Sequence, residues 1–181
     1  MSIMITVVDY DPVWPRIFDG LRHRYEVALR DVVVVAIEHV GSTSVPGLAA
    51  KPVIDVDIIV AREHLADAIV AMELAGFRSL GERGIPDRWA LDAPSDLPRT
   101  NTYVVVDGSL AVRNHLGVRA VLRSDSDLRD EYASLKRSIA DEADDIDEYV
   151  AAKSALLSTV LERAGLTSEE RRIIEEANRS A

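Results

Sequence analysis

Residues 39–58, HVGSTSVPGLAAKPVIDVDI, decide how this chain folds. A β-branched run from Val32 to Val40 stops at Gly41, a second fills Val53 to Val60, and the loop GSTSVPGLAAKP joins them. Both runs predict strands. Side chains on a strand alternate between faces, so Asp55 and Asp57 share one face. Their neighbours Val53, Ile54, Val56, Ile58 and Ile59 are apolar, which predicts an internal strand. Two carboxylates directed from such a strand repel, and in a poorly solvated site they either retain a proton or take up a cation. Mg2+ suits the pair, because it needs only one or two carboxylates and completes its shell with water and substrate phosphates. Gly41 and Ser42, where the preceding strand ends, offer backbone amides and a hydroxyl to phosphate oxygens. Spacing alone also fits a strand end where both acids are solvated.

Upstream, IMITVV over residues 3–8 predicts a short strand, and Asp11-Pro12 opens a helix in which Trp14, Ile17, Phe18, Leu21, Tyr25, Ala28 and Leu29 recur at helical spacing. Downstream, Leu65 to Ala75 predicts a helix closed by Gly76, and strands are predicted over 77–80, 88–92 and 100–106. After Gly108 the pattern is helical, over 110–122, 126–142, 146–164 and 168–178. Ser124 with Asp127, and Thr167 with Glu170, carry signals for helix starts. No repeat, low-complexity tract or linker divides the chain, and 181 residues suit one domain over 1–181, with a sheet-containing core at 1–108 and a helical part at 109–181. Strands first and helices last predict an α+β (mixed α/β) fold, a mixed sheet flanked by helices.

Composition bounds the chemistry. Thirty-one acids against 21 Lys and Arg give a net charge of −10, which argues against an extended nucleic-acid surface. Residues 1–123 carry a net −3 and residues 124–181 a net −7, so the half that holds the acid pair is nearly balanced and can meet a small anion. Apolar residues make up 48% of the chain and charged residues 29%, the proportions of a packed globule. With no cysteine, disulfides, thiolate zinc sites and a Cys nucleophile are excluded. No apolar run approaches the ~20 residues of a membrane span and the N-terminus does not resemble a signal peptide, so a cytoplasmic location is expected.

Strand, Gly-Ser, strand, Asp-x-Asp is the arrangement of the nucleotidyltransferase superfamily with its polymerase-β-like core. At residue level, His39-Val40-Gly41-Ser42-Thr43-Ser44-Val45-Pro46-Gly47-Leu48, followed by Lys51-Pro52-Val53-Ile54-Asp55-Val56-Asp57, resembles the signature of the GrpB family of predicted nucleotidyltransferases. The resemblance extends to Val8-x-Tyr10-Asp11-Pro12-x-Trp14, to Arg113-Asn114-His115-Leu116, and to Tyr132-x-x-Leu135-Lys136 and Tyr149-x-x-x-Lys153, nearly the whole chain. It implies a nucleotidyltransferase-like fold and transfer of a nucleotidyl group from a nucleoside triphosphate; the acceptor, small molecule or protein, stays open. Relatives of this kind also occur fused to dephospho-CoA kinase, where the domain acts as an accessory. One departure bears on catalysis. Transferases of the superfamily commonly add a third carboxylate from a later strand, which here reads Arg99-Thr100-Asn101-Thr102-Tyr103-Val104. Asn101, Tyr103 or His115 are candidates to substitute in part, His115 as a proton acceptor.

The cations complete the candidate set. Only three lysines occur among 21 basic residues: Lys51 precedes the acidic strand, Lys136 lies beside Tyr132, Leu135 and Ile139, and Lys153 sits inside the stripe of Ile146, Tyr149, Val150, Leu157, Val160 and Leu161. Each serves equally as a phosphate contact or as a stem lying along apolar surface. Arg113 is a candidate for the triphosphate, and Arg83 and Arg88 flank a turn that could overhang the cleft. Two readings compete: a Mg2+-dependent nucleotidyltransferase, with Asp55 and Asp57 on metal, His115 catalytic, and Gly41, Ser42, Lys51, Arg113, Lys136 and Lys153 on phosphate; and a non-catalytic nucleotide-binding accessory domain. A phosphotransferase is less well supported, because no Walker-type phosphate loop is present.

Overall fold

A computed structural model describes residues 7–141 and 146–179, without the side chains of residues 139–141, 146–153 and 179. Five strands form one mixed sheet, in chain order β1 Ala36–Val40, β2 Ile54–Val60, β3 Arg78–Gly81, β4 Arg88–Asp92 and β5 Thr100–Val106. Their spatial order is β1-β2-β5-β4-β3, with β2 and β5 parallel and every other neighbouring pair antiparallel. Six helices complete the chain: α1 Trp14–Ala28, α2 Leu65–Leu74, α3 Leu110–Ser124, α4 Ser126–Asp141, α5 Ile146–Arg163 and α6 Ser168–Arg179. The expected mixed sheet, flanked by helices and followed by a helical C-terminal part, is what the chain builds.

Alternation along the strands assigns the two faces. Trp14, Phe18, Leu21 and Tyr25 recur one helical turn apart on α1, and with Ala68 and Met72 of α2 they bury Ile54, Val56, Ile58, Val60 and Val104 on one face of the sheet. The hydroxyls of Tyr25 and Thr102 share a hydrogen bond of 2.7 Å inside this layer, so this buried polar pair is satisfied. On the other face Ile59 and Val105 pack against Ala111 and Val112 of α3, and Ile85 and Ala177 close the same cluster. Asp55, Asp57, Asn101 and Tyr103 belong to this second face, directly under α3. α3 in turn packs on α5, and Leu122 of α3 shares a cluster with Leu128, Ala133, Leu156 and Val160 of the two helices that follow.

Three local expectations are corrected. The β-branched run from Val32 enters the sheet only at Ala36, because β2 ends at Val60 and pairs Ile59 with Ala36, leaving residues before 35 no strand to bond; Val33 is 64% exposed. The first turn of α4 is capped by Asp125, whose Oδ1 accepts from the Leu128 amide at 2.9 Å, while Ser124 donates back to Val121 as the last residue of α3. At the far end of the sheet β3 starts one residue later than the pattern predicts, since Gly76 and Phe77 close α2 through bonds to Glu73 and Met72. The Thr167–Glu170 box forms as expected, with the Thr167 amide on Glu170 at 2.9 Å and the Glu170 amide on Thr167 at 3.3 Å. The strand expected over 3–8 lies mostly outside the described residues; within them Val8 bridges Ala50.

Gly117 tests the packing of α3. At an exposed helix position, replacing glycine with alanine stabilises by about 1 kcal/mol. Here a Cβ would lie 2.8 Å from the Cβ of Ala164, at the end of α5, with no flexible side chain to yield. Gly117→Ala is therefore expected to destabilise by ~1–3 kcal/mol in urea unfolding; a stabilised variant would show that α3 does not seat on α5.

Candidate functional site: an acid pair under helix α3

β2 carries the site. Its register sets Asp55 beside Asn101 and Asp57 beside Tyr103 on β5, and Val40 and Glu38 of β1 opposite the same two acids. Asp57 is 0% exposed, and His115 of α3, 17% exposed, reaches down to it at 2.8 Å. A carboxylate can only accept, so His115 Nδ1 donates to Asp57 Oδ2, and Nε2 is the nitrogen that carries the lone pair whenever the ring is neutral. The other oxygen, Asp57 Oδ1, is buried with no hydrogen-bond partner among the described residues. Asp55 Oδ1 accepts from the Asn101 amide at 2.7 Å. Burial pushes the Asp55 carboxyl up to about 6, with Asp57 adding to the rise and Asn101, His115 and Lys136 opposing it.

Gly41 abuts this pair. Its backbone sits at φ +69 and ψ −172, a conformation almost reserved for glycine, and a Cβ at this position would fall on Asp55 Oδ2. A turn of 3-10 helix over Ser42–Ser44 follows, where the Ser44 hydroxyl donates to the Gly41 carbonyl at 2.6 Å. The Lys136 ammonium, on α4, donates to the Ser42 hydroxyl and lies 4.6 Å from the centre of the Tyr132 ring. Gly41, Ser42 and Lys136 thus lie beside the acid pair, although 95 positions separate the first from the last.

Other candidates are placed elsewhere. Arg113 pairs with Glu170 of the α6 capping box. Lys51 is exposed, ahead of the acidic strand. The side chain of Lys153 lies outside the described residues. Four residues without an assigned role, Arg123, Arg119, Thr43 and His39, hold the Gly-Ser turn instead. Arg123 donates twice to the Ser44 carbonyl, at 3.1 and 2.7 Å, and Arg119 donates to the His39 carbonyl at 2.7 Å and to Glu38 at 2.8 Å. Thr43 gives its one proton to the Val53 carbonyl at 3.2 Å, so His39 Nε2 must donate to Thr43 at 3.0 Å. Burial, with Arg123 and Arg119 nearby, holds His39 down at about 4, and its ring stacks on Phe18. The one signal available for the arginines was their spacing, one turn apart and one turn beyond His115.

The two strands, the glycine and the histidine form a recess of buried oxygen with donors on its rim. Such a recess can hold a cation on the acids and an anion on the Gly-Ser turn, and it can take a proton at His115 Nε2. Among the described residues no group of three His, Cys, Asp or Glu side chains is placed to hold a metal ion by itself. Nor is any described helix long and apolar enough to cross a membrane.

The raised Asp55 carboxyl makes a stability prediction. A carboxyl that titrates near 6 folded and 3.8 unfolded binds its proton more tightly in the folded state, so its ionisation destabilises the fold as pH rises from about 4 through 6. Asp55→Asn is expected to stabilise the metal-free protein by ~1–3 kcal/mol at pH 7 and by much less at pH 4; denaturant unfolding at the two pH values measures it. Gly41→Ala should destabilise at both.

Comparison with known proteins agrees with this architecture. The family model for the GrpB protein matches residues 4–163. A UPF0157 protein of Halalkalibacterium halodurans is 36% identical over 167 residues, covering 90% of this chain and 84% of that one. A dephospho-CoA kinase of Mycolicibacterium paratuberculosis is 34% identical over 187 residues, covering 88% of this chain but only 46% of the kinase. The crystal structure of GrpB from Enterococcus faecalis superposes with a TM-score of 0.73 at 30% identity, over 88% of this chain and 96% of that one. With one sequence pattern running from Gly41 to Asp57 and one fold arranged around it, the chain belongs to the GrpB protein family.

Proposed function

We propose that this chain is a Mg2+-dependent nucleotidyltransferase that takes a nucleoside triphosphate as donor. The observation that carries the reading is Asp57 Oδ1, a carboxylate oxygen buried beside a second carboxylate with no hydrogen-bond partner among the described residues. His115 satisfies only the other oxygen, and leaving a buried charged acceptor unmet costs on the order of 1–3 kcal/mol or more, which a cation bound between the acids would remove. The donor set fits Mg2+: two carboxylates supply oxygen, cysteine is absent, and the remaining shell falls to water and phosphate. Asp55 and Asp57 would hold the ion, which when bound supplies positive charge to phosphate oxygens.

The chain's own groups do the rest. The missing Cβ at Gly41 lets the turn abut the Asp55 carboxylate, so phosphate oxygens received by the Gly41 and Ser42 amides and the Ser42 hydroxyl would lie close to the acids. Lys136, already on the Ser42 hydroxyl, offsets the charge of the departing pyrophosphate. His115, oriented by its Nδ1 bond to Asp57, presents Nε2 to the proton that an acceptor hydroxyl must lose. Arg119 and Arg123 hold the turn in place from α3.

A second reading, an accessory domain that binds nucleotide without turnover, is favoured by Asn101. Its amide occupies Asp55 Oδ1 from the strand where a third carboxylate would stand. The resemblance of this chain to less than half of a dephospho-CoA kinase supports the same view.

Calorimetric titration with each of the four common triphosphates as non-hydrolysable analogues distinguishes these cases. Wild-type protein should bind one of them only in the presence of Mg2+, with Asp55→Asn and Asp57→Asn each weakening binding by at least ~10-fold. Lys136→Met should weaken it by ~10-fold, the worth of one charge-assisted hydrogen bond. Unchanged binding in both acid variants would sink the metal assignment. Pyrophosphate release from the natural triphosphate identifies the transferase; tight binding with no release under any acceptor identifies the accessory domain. Because Asp55→Asn is expected to stabilise the fold, loss of binding in that variant cannot be assigned to unfolding.

A further inference from the structure

The face under α3 continues beyond the acid pair. Reading across the sheet from β2, the next strand presents Asn101 and Tyr103, and the strand after that presents Arg88, on the same face because Ala90 is the partner of Tyr103 and Arg88 lies two residues away. The Arg88 guanidinium stacks over the Tyr103 ring at 4.9 Å, and the Tyr103 ring leans on His115 at 5.8 Å. A continuous row thus runs Asp57, His115, Tyr103, Arg88.

Among the described residues two side-chain atoms are buried with no hydrogen-bond partner, and they stand at the two ends of this row: Asp57 Oδ1 and Arg88 Nε. Arg88 is unusual in this acidic chain. Twelve of the described arginines rest on a carboxylate, whereas Arg88 has none, and its one hydrogen bond is a long contact of 3.4 Å from Nη2 to the Arg83 carbonyl. Arg83, exposed on the same turn, has no carboxylate either. The acids of that turn are committed elsewhere: Asp87 to Arg62 at 2.6 Å, and Glu82 to the Asp87 amide at 2.8 Å. Ile85, buried against the α6 side, pins the turn in place. The Tyr103 hydroxyl feels both groups, raised by burial and by Asp55 and Asp57, and opposed by Arg88 and Arg83.

We propose that Arg88 and Arg83, with Tyr103 as floor, form a subsite for the phosphate of a phosphomonoester acceptor, on the side of the acid pair away from the Gly-Ser turn. The proposal rests on the transferase reading and gives its acceptor a chemical class. Two cations without acids match the two charges of a phosphomonoester, and the guanidinium fork matches its oxygens. Neighbouring strands are ~4.8 Å apart, so β4 lies ~10 Å from β2, room for an acceptor whose phosphate rests on Arg88 while its hydroxyl reaches His115. The strand between them offers only neutral Asn101 and Tyr103, so no fixed negative charge repels the anion on its way to the acids. The donor phosphates sit on the opposite side, at Gly41, Ser42 and Lys136.

The test uses the full chain and inorganic phosphate as probe, titrated calorimetrically in metal-free buffer with chelator, and separately the Mg2+-bound triphosphate analogue. The wild type is expected to bind phosphate saturably, Arg88→Met to weaken it by ~10-fold or more, Arg88→Lys to fall between, and Lys136→Met to leave it. Acetate, with a single charge, should bind more weakly than phosphate. Arg83→Met, at an exposed position, should weaken phosphate by a smaller factor and serves if Arg88→Met does not fold. Phosphate binding that is lost in Lys136→Met and kept in both arginine variants would place the anion on the Gly-Ser turn and overturn the proposal, as would no saturable binding in the wild type. The donor reading is read separately: Arg88→Met should keep its affinity for the Mg2+-bound analogue, and a wild type that binds phosphate through Arg88 but no analogue defeats the donor assignment alone.

Discussion

Two carboxylates on the buried face of one internal strand impose the main constraint on this structure. Val56 and Ile58 fix β2 against α1 and α2, and period two then commits Asp55 and Asp57 to the opposite face, whatever their electrostatic cost. Everything near them eases that cost. His115 donates to one acid and Asn101 to the other, Lys136 stands within electrostatic reach, and Gly41 gives up a side chain so that the backbone can approach. Asp57 Oδ1 remains buried without a hydrogen-bond partner among the described residues, and the proposed cation would answer it.

The molecule separates its tasks by face. The α1 and α2 side is a closed apolar layer whose buried polar pairs are satisfied internally, including Tyr25 with Thr102. The α3 side carries charge in a defined order from β1 to β4: the Gly-Ser turn, the acids, a neutral strip, then unpaired arginine. Negative net charge on the chain as a whole does not oppose an anionic ligand here, because the residues after 123 hold most of the excess and much of it is spent locally, as in the pairing of Glu169 and Glu176 with Arg172.

What could be seen in the sequence was what alternation and backbone chemistry dictate. Gly41-Ser42 and Asp55-x-Asp57 are local patterns, and their juxtaposition follows once two adjacent strands pair antiparallel. Apolar stripes singled out Lys153, inside its stripe, more strongly than Lys136, beside one, yet among the described side chains it is Lys136 that reaches Ser42. Arg113 could not be placed, since its choice of Glu170 over the acid pair depends on where α6 folds back. Arg119 and Arg123 were missed for a related reason: their partners on the turn are backbone carbonyls, which every residue has and no sequence distinguishes. Likewise the sheet takes only the end of the Val32 to Val40 run, because strand length is set by the partner and not by propensity.

His115, Arg119 and Arg123 follow one another at four-residue intervals on α3, so one helix face touches Asp57, the carbonyl of His39 and the carbonyl of Ser44 in succession. The helix therefore acts as a ruler laid across the recess, with three graduations that must all align. Inserting or deleting a single residue between 115 and 123 would turn the later contacts by about 100° relative to the first and detach the turn from the acids. The length of α3 between these marks is therefore fixed, and the separation of Asp57 from the Gly-Ser turn is written into the helical pitch.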